Sequence, residues 1–231
     1  MQLKYKTVIF DLDGTLLESA PGVINAVRYA LNKLNLPFPA GLDAEPDARL
    51  DARPNASFDE RKLIGPPLKS SYQDILGVSP NLVEQAVTLH REYYGSKGAY
   101  ESKLYPGVGA LVKKLHQAGA QVCVATSKFH VVAKEILAHY DLMQFITYSA
   151  MSDGTELSSK KAEMIAKVLD FCKSSPQSTV MVGDTYFDLE GAKQNNVPFI
   201  GVLFGYGSRC EMQGANYFVN NIPELEKILF I

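Results

Sequence analysis

Two aspartates one residue apart, at the end of an apolar run, are the first groups in the chain that could do covalent chemistry. Thr7 to Phe10 leads straight into Asp11-Leu12-Asp13-Gly14-Thr15. A carboxylate that follows a buried strand sits at the sheet's carboxyl edge, where open α/β sheets bind ligands. Gly14 permits a turn that aims backbone N–H groups at an anion. From there Asp11 can attack phosphorus and form an acyl phosphate. Asp13 is spaced to protonate a leaving oxygen and then to take a proton from water. The plain alternative is an Asx-rich turn that closes a strand.

A carboxylate approaching a phosphate dianion needs positive charge between them, so the same chemistry requires a metal ion and a lysine. Asp184 follows the apolar run Thr179 to Val182 and Gly183, and Asp188 comes one helical turn later. Such an acidic pair offers the oxygen ligands that Mg²⁺ prefers. The alternative for Asp184 is a helix N-cap. Thr126 ends the run Gln121 to Ala125 and could donate a hydroxyl to a phosphate oxygen, or serve the strand end alone. Lys161 opens a helical pattern after a Gly- and Ser-rich stretch. Lys160 is its neighbour and rival, and helix register decides which amine faces inward.

These residues need a sheet to bring them together. Thr7 to Phe10, Gln121 to Ala125, Thr179 to Val182 and Phe199 to Leu203 are apolar without alternation, as in strands covered on both faces. Between them lie helical patterns: Val108, Leu111, Val112 and Leu115; Val132, Ala133, Ile136 and Leu137; Met164, Ile165, Val168 and Leu169. Strand and helix in alternation predict an α/β fold with a parallel sheet. Residues from about Ser19 to Ser102 have no strand-like run. They read as helices over Pro21 to Leu34, from a Ser57/Glu60 capping box to Gly65, from Pro66-Pro67 to Gly77, and from Ser79-Pro80 to Tyr94. Pro37 to Ala56, rich in Pro, Asp and Ala, reads as a long solvated loop.

Bulk properties exclude several classes. The chain has 231 residues, 46% of them hydrophobic, which suffices for a sizeable core. Lys and Arg number 23 against 25 for Asp and Glu, so no basic field draws nucleic acid or an anionic membrane. Cys123, Cys172 and Cys210 are odd in number and widely spaced, which fits a reducing cytoplasm better than a disulfide framework. The run at Thr7 is too short for a signal core or a membrane span. A small phosphorylated metabolite is the expected partner, and a monomer the expected state, with a dimer as the alternative.

Asp11-Leu12-Asp13-Gly14-Thr15, Thr126-Ser127-Lys128, Lys161 and Gly183-Asp184-Thr185 with Asp188, in that order, resemble the four motifs of the haloacid dehalogenase superfamily. Gly65-Pro66-Pro67-Leu68 and Phe204-Gly205-Tyr206-Gly207-Ser208 resemble a phosphoglycolate phosphatase-like branch that includes 5′-nucleotidases. The resemblance implies a Rossmann-like, doubly wound core (residues 1–17 and 103–231) carrying an all-helical cap (18–102). It also implies phosphate-ester hydrolysis through Asp11 as nucleophile and Asp13 as general acid and base. Mg²⁺ would be held by Asp11, the Asp13 main chain, Asp184 and Asp188. Thr126 and Lys161 would grip the phosphoryl group, with Gly14, Thr15, Ser127 and Lys128 lining the substrate and Lys69 reaching it from the cap. A phosphomutase on the same scaffold, returning the phosphoryl group to a sugar, is the alternative.

Overall fold

The computed structural model describes residues 2–39, 58–155 and 160–231, and the chain divides into two units, Met1–Glu18 with Leu104–Ile231 and Ser19–Lys103. The strands are β1 (Thr7–Phe10), β2 (Leu17–Glu18), β3 (Lys103–Leu104), β4 (Gln121–Phe129), β5 (Tyr148–Ser152), β6 (Thr179–Gly183), β7 (Phe199–Val202) and β8 (Tyr217–Val219). The α-helices are α1 (Ala20–Lys33), α2 (Leu68–Ser70), α3 (Pro80–Ser96), α4 (Val108–Gln117), α5 (His130–His139), α6 (Lys161–Cys172), α7 (Tyr186–Gln194) and α8 (Ile222–Leu229).

In the larger unit, six strands form one sheet in the order β5-β4-β1-β6-β7-β8, with every neighbouring pair parallel. β1 lies between β4 and β6: Ile9 pairs with Cys123 on one side and Met181 on the other. This row packs on Met164, Ile165 and Val168 of α6 and on Leu189 and Ala192 of α7. Strand alternation sends Val8, Phe10, Val122, Val124, Val180 and Val182 to the opposite face, and they are buried there too. Both faces are therefore covered, as the unbroken apolar runs require.

Two strands of the six-stranded sheet escaped the sequence pattern. β5 is Tyr148-Ser-Ala-Met-Ser and β8 is Tyr217-Phe-Val, and they occupy the two edges of the sheet. Edge strands are only half covered, so they lack the run of β-branched residues that marks the centre. β4 also continues past Ala125 to Phe129, so Thr126 lies inside the strand. Its register against β5 shifts between Thr126 and Phe129, a local irregularity of the kind that re-aims side chains near functional sites.

The smaller unit is helical. Pro21 stands in the first turn of α1, whose buried Val23, Val27, Ala30 and Leu31 run along one side, and α1 packs on α3. An added Cβ at Gly22 would overlap the Gly98 carbonyl, so glycine is needed for this close approach. Asp59, whose side chain accepts from the Arg61 N–H, caps the 3-10 turn Glu60–Leu63. Ser57 and the stretch 40–56 of the expected loop lie outside the described residues. The helix expected after Pro66-Pro67 begins as α2 and widens to a π-turn over Ser71–Ile75. Among the described residues no helix is long and apolar enough to cross a membrane.

Ile9 is fully buried at the centre of this core. Ile9→Ala is expected to lower unfolding free energy by about 2–5 kcal/mol in urea denaturation, through lost transfer energy and the cavity left behind.

Candidate active site

The register of three adjacent strands brings the site together. Phe10 pairs with Val124 and Val182, so Asp11 from β1, Thr126 from β4 and Asp184 from β6 all follow that row within two residues, at the same edge of the sheet. The Asp11 N–H still donates to the Val182 carbonyl at 2.9 Å, which ties the first carboxylate to the strand that carries the second. Beyond Asp11 the chain turns on itself. The N–H groups of Leu16 and Leu17 donate to the Leu12 carbonyl, that of Gly14 donates to Leu17, and Gly14 adopts φ 82°.

Asp11, Asp184 and Asp188 are buried, with carboxylate oxygens within 4.8 Å of one another. Lys161 answers them from the first turn of α6. Its Nζ donates to Asp11 Oδ1 at 2.7 Å and to the Ala125 carbonyl at 2.9 Å, and it lies 2.8 Å from Asp188 Oδ1. Register thus turns Lys161 inward and leaves Lys160 exposed. α6 lies close to α7 here, since a Cβ at Gly191 would overlap the Lys161 stem.

Each remaining carboxylate oxygen has a distinct environment. Asp184 Oδ1 accepts from the Thr15 hydroxyl at 3.2 Å, and Oδ2 accepts from the Tyr206 N–H at 2.8 Å. Asp188 Oδ2 accepts from the N–H and hydroxyl of Thr185, which is the N-cap of α7. The capping role considered for Asp184 therefore belongs to Thr185, one residue later. Asp188 Oδ1 faces Lys161 in an ion pair but receives no well-aligned hydrogen bond. Asp13 is gripped through both oxygens by the Lys128 ammonium, at 2.8 and 3.0 Å. Thr126 Oγ1 accepts from the Lys128 N–H at 3.2 Å, and this hydroxyl is buried.

Two of the expected substrate-lining residues each hold one of the site's carboxylates. Thr15 holds Asp184, and Lys128 holds Asp13. Ser127 is half-buried between Thr126 and Lys128. Lys69 belongs to the helical unit, where it is exposed and forms an ion pair with Glu84. The sequence reading missed the part played by Gly205-Tyr206-Gly207. A Cβ at Gly205 would overlap Asp184 and the Gly14 carbonyl, and one at Gly207 would overlap the Asp184 carbonyl. The two glycines bring the backbone close enough for the Tyr206 N–H to reach the carboxylate. The Gly-x-Gly spacing was visible in the sequence, but its target was not.

Charge at the site is unbalanced. Three carboxylates, Asp11, Asp184 and Asp188, share one ammonium, Lys161, so full ionisation leaves two negative charges buried together. Burial raises the Asp11 carboxyl above its ordinary range, against the pull of the Lys161 ammonium, with the Asp188 charge adding to the rise. Burial also raises Asp184 well above that range, helped by Asp188 and Asp11 and opposed by the Tyr206 N–H and Thr15. Lys161 shows the reverse balance: burial disfavours its charge, but Asp11 and Asp188 outweigh this and raise its pKa. An all-oxygen donor set with surplus negative charge, one of whose oxygens lacks an aligned donor, suits a hard divalent cation.

The family model of the haloacid dehalogenase-like hydrolases matches residues 5–196. A 5′-nucleotidase of Pseudomonas aeruginosa is 33% identical over 98% of this chain and 96% of its own length. The tyrosine-protein kinase PtkA of Mycobacterium tuberculosis is 34% identical over 87% of this chain and 62% of its own. A phosphoglycolate phosphatase of Vibrio cholerae is 30% identical over 87% of this chain and 85% of its own. Among solved structures, a predicted phosphatase from Clostridium acetobutylicum superposes with a TM-score of 0.83 at 35% identity, covering 97% of each chain.

The raised carboxyls set the sign of the pH dependence. A carboxyl whose folded pKa exceeds its unfolded value binds more protons folded than unfolded between the two, so it destabilises the fold as pH rises through that window. With chelator present, Asp11 and Asp184 should make the urea midpoint fall between pH 5 and pH 8. A divalent cation should restore the midpoint more at pH 8 than at pH 5. Equal midpoints at the two pH values, with chelator and with cation alike, would count against the buried charge surplus.

Proposed function

The chain belongs to the haloacid dehalogenase-like hydrolases, and we propose that within this family it is a magnesium-dependent phosphoric monoester hydrolase that carries the phosphoryl group on Asp11. The observation that carries this reading is the meeting of Asp11, Asp184 and Asp188 around Lys161 at one edge of the sheet.

Lys161 holds Asp11 Oδ1, which fixes the carboxylate and leaves Oδ2 as the attacking oxygen. The Oδ2–phosphorus bond forms as the bond from phosphorus to the ester oxygen breaks. Asp13 gives the departing alcohol its proton. In the second half, Asp13 takes a proton from water, the water oxygen bonds to phosphorus, and the bond to Asp11 breaks, releasing inorganic phosphate. The Lys128 grip on both oxygens of Asp13 sets where that carboxylate sits. Thr126, beside Lys128, offers its hydroxyl proton to a phosphoryl oxygen, and the Lys161 ammonium meets negative charge as it develops. Asp11, Asp184, Asp188 and the Asp13 carbonyl would hold Mg²⁺, which when bound neutralises phosphoryl oxygens and lessens their repulsion of the nucleophile.

The substrate is a small phosphomonoester. The names of the relatives suggest a nucleoside monophosphate or phosphoglycolate. With Mg²⁺ present, Asp11→Asn should abolish phosphate release from a panel of such esters while leaving the circular dichroism spectrum unchanged. Lys161→Ala should lower kcat by about 10²–10³, the range for loss of one preorganised charge-stabilising group. Steady-state release of inorganic phosphate checks both, and an Asp11→Asn protein with unchanged turnover would eliminate the covalent route.

A further inference from the structure

The residues between the two α7-side carboxylates are Thr185, Tyr186 and Phe187. Thr185 has a structural task as the N-cap, but the two aromatics have none. Tyr186 is 50% exposed and Phe187 47%. Their rings meet edge to face with centroids 6.1 Å apart. α7 buries Asp188, Leu189, Gly191 and Ala192, so these rings belong to its uncovered side.

A helix's first turn favours small polar or acidic residues, which complement its exposed N–H groups. Two large apolar rings there gain nothing from capping and little from packing. Among the described residues, Tyr186 and Phe187 are the one pair of consecutive exposed aromatics; the other large exposed apolar residues are scattered along the chain. Single exposed apolar residues are ordinary, whereas adjoining ones mark contact surfaces. Tyr186 follows Asp184 by two residues, so their Cα atoms are no more than about 7 Å apart. Side chains at a helix start lean toward its N-terminus, here toward the sheet edge that carries the carboxylates. The half-buried Tyr206 adjoins the same carboxylate through its backbone, whose N–H donates to Asp184 Oδ2. Tyr186 and Phe187 thus stand in the same helical turn as Asp188, directly after Asp184 and Thr185 in the chain.

We propose that Tyr186 and Phe187 are specificity-determining residues that stack on a planar base of the substrate, which makes the substrate a nucleoside monophosphate. The proposal rests on the phosphatase reading above and narrows it. An anionic phosphoryl group needs the charged centre and a base needs an aromatic face, and a nucleoside monophosphate carries both, separated by a ribose. Phosphoglycolate, which has no ring, would leave the aromatic pair unused.

Adenosine 5′-monophosphate and ribose 5-phosphate share the sugar phosphate and differ in the base, so they isolate this contact. With Mg²⁺, the wild-type protein should favour adenosine 5′-monophosphate in kcat/KM by about tenfold or more, mostly through KM. The double variant Tyr186→Ala, Phe187→Ala should lose about tenfold on the nucleotide and stay within about twofold on ribose 5-phosphate, while Tyr186→Phe keeps the preference. Asp11-dependent release with no preference for the nucleotide, or equal losses on both substrates in the double variant, would overturn the stacking role and leave the phosphatase reading intact. Absence of Asp11-dependent release from both of these substrates would overturn the stacking role, and its absence from the whole panel of phosphomonoesters would overturn the phosphatase reading as well.

Discussion

Everything at the carboxyl edge of the sheet depends on a surplus of buried negative charge. Asp11, Asp184 and Asp188 lie within a few ångströms of one another and share the single ammonium of Lys161. Removing carboxylates from water is costly, and a protein interior tolerates them only when paired or coordinated. Left alone, burial, helped by the neighbouring carboxylates, raises Asp11 and Asp184 toward protonation. In the proposed function, a divalent cation would meet this surplus and make it a binding site. The arrangement therefore trades local stability for the ability to bring like charges together.

The rest of the larger unit maintains that arrangement. β1 sits between β4 and β6, so one register fixes Asp11, Thr126 and Asp184 relative to one another. α6 carries Lys161 in its first turn and α7 carries Asp188 in its own, and both helices pack on the same face of the sheet. Glycines at 14, 205 and 207 surround Asp184 because no side chain would fit there. A closely packed site of this kind loses function through displacements that would hardly disturb the core.

Much of this was legible in the sequence, and the limits have physical causes. The central strands announced themselves because strands buried on both faces need continuous apolar runs, and Asp11 and Asp184 could be located from the ends of those runs. The choice of Lys161 over Lys160 required the helix register that packing against α7 imposes. The edge strands β5 and β8 lacked a signal because half-exposed strands have weaker composition. Asp184 looked like a cap since acids commonly begin helices; Thr185 fills that role through a reciprocal pair with Asp188. The contacts that Thr15 makes with Asp184 and Lys128 with Asp13 had no signal in the sequence. Contacts of this kind join residues more than 100 positions apart, and no local pattern encodes them.

The most direct test of the charge-surplus account is calorimetric titration of the purified chain with Mg²⁺ at neutral pH, beside Asp184→Asn. The account predicts a single saturable site in the wild type and its loss in the variant, with both proteins folded. Equal Mg²⁺ binding by the two proteins, or no binding by the wild type, would contradict it.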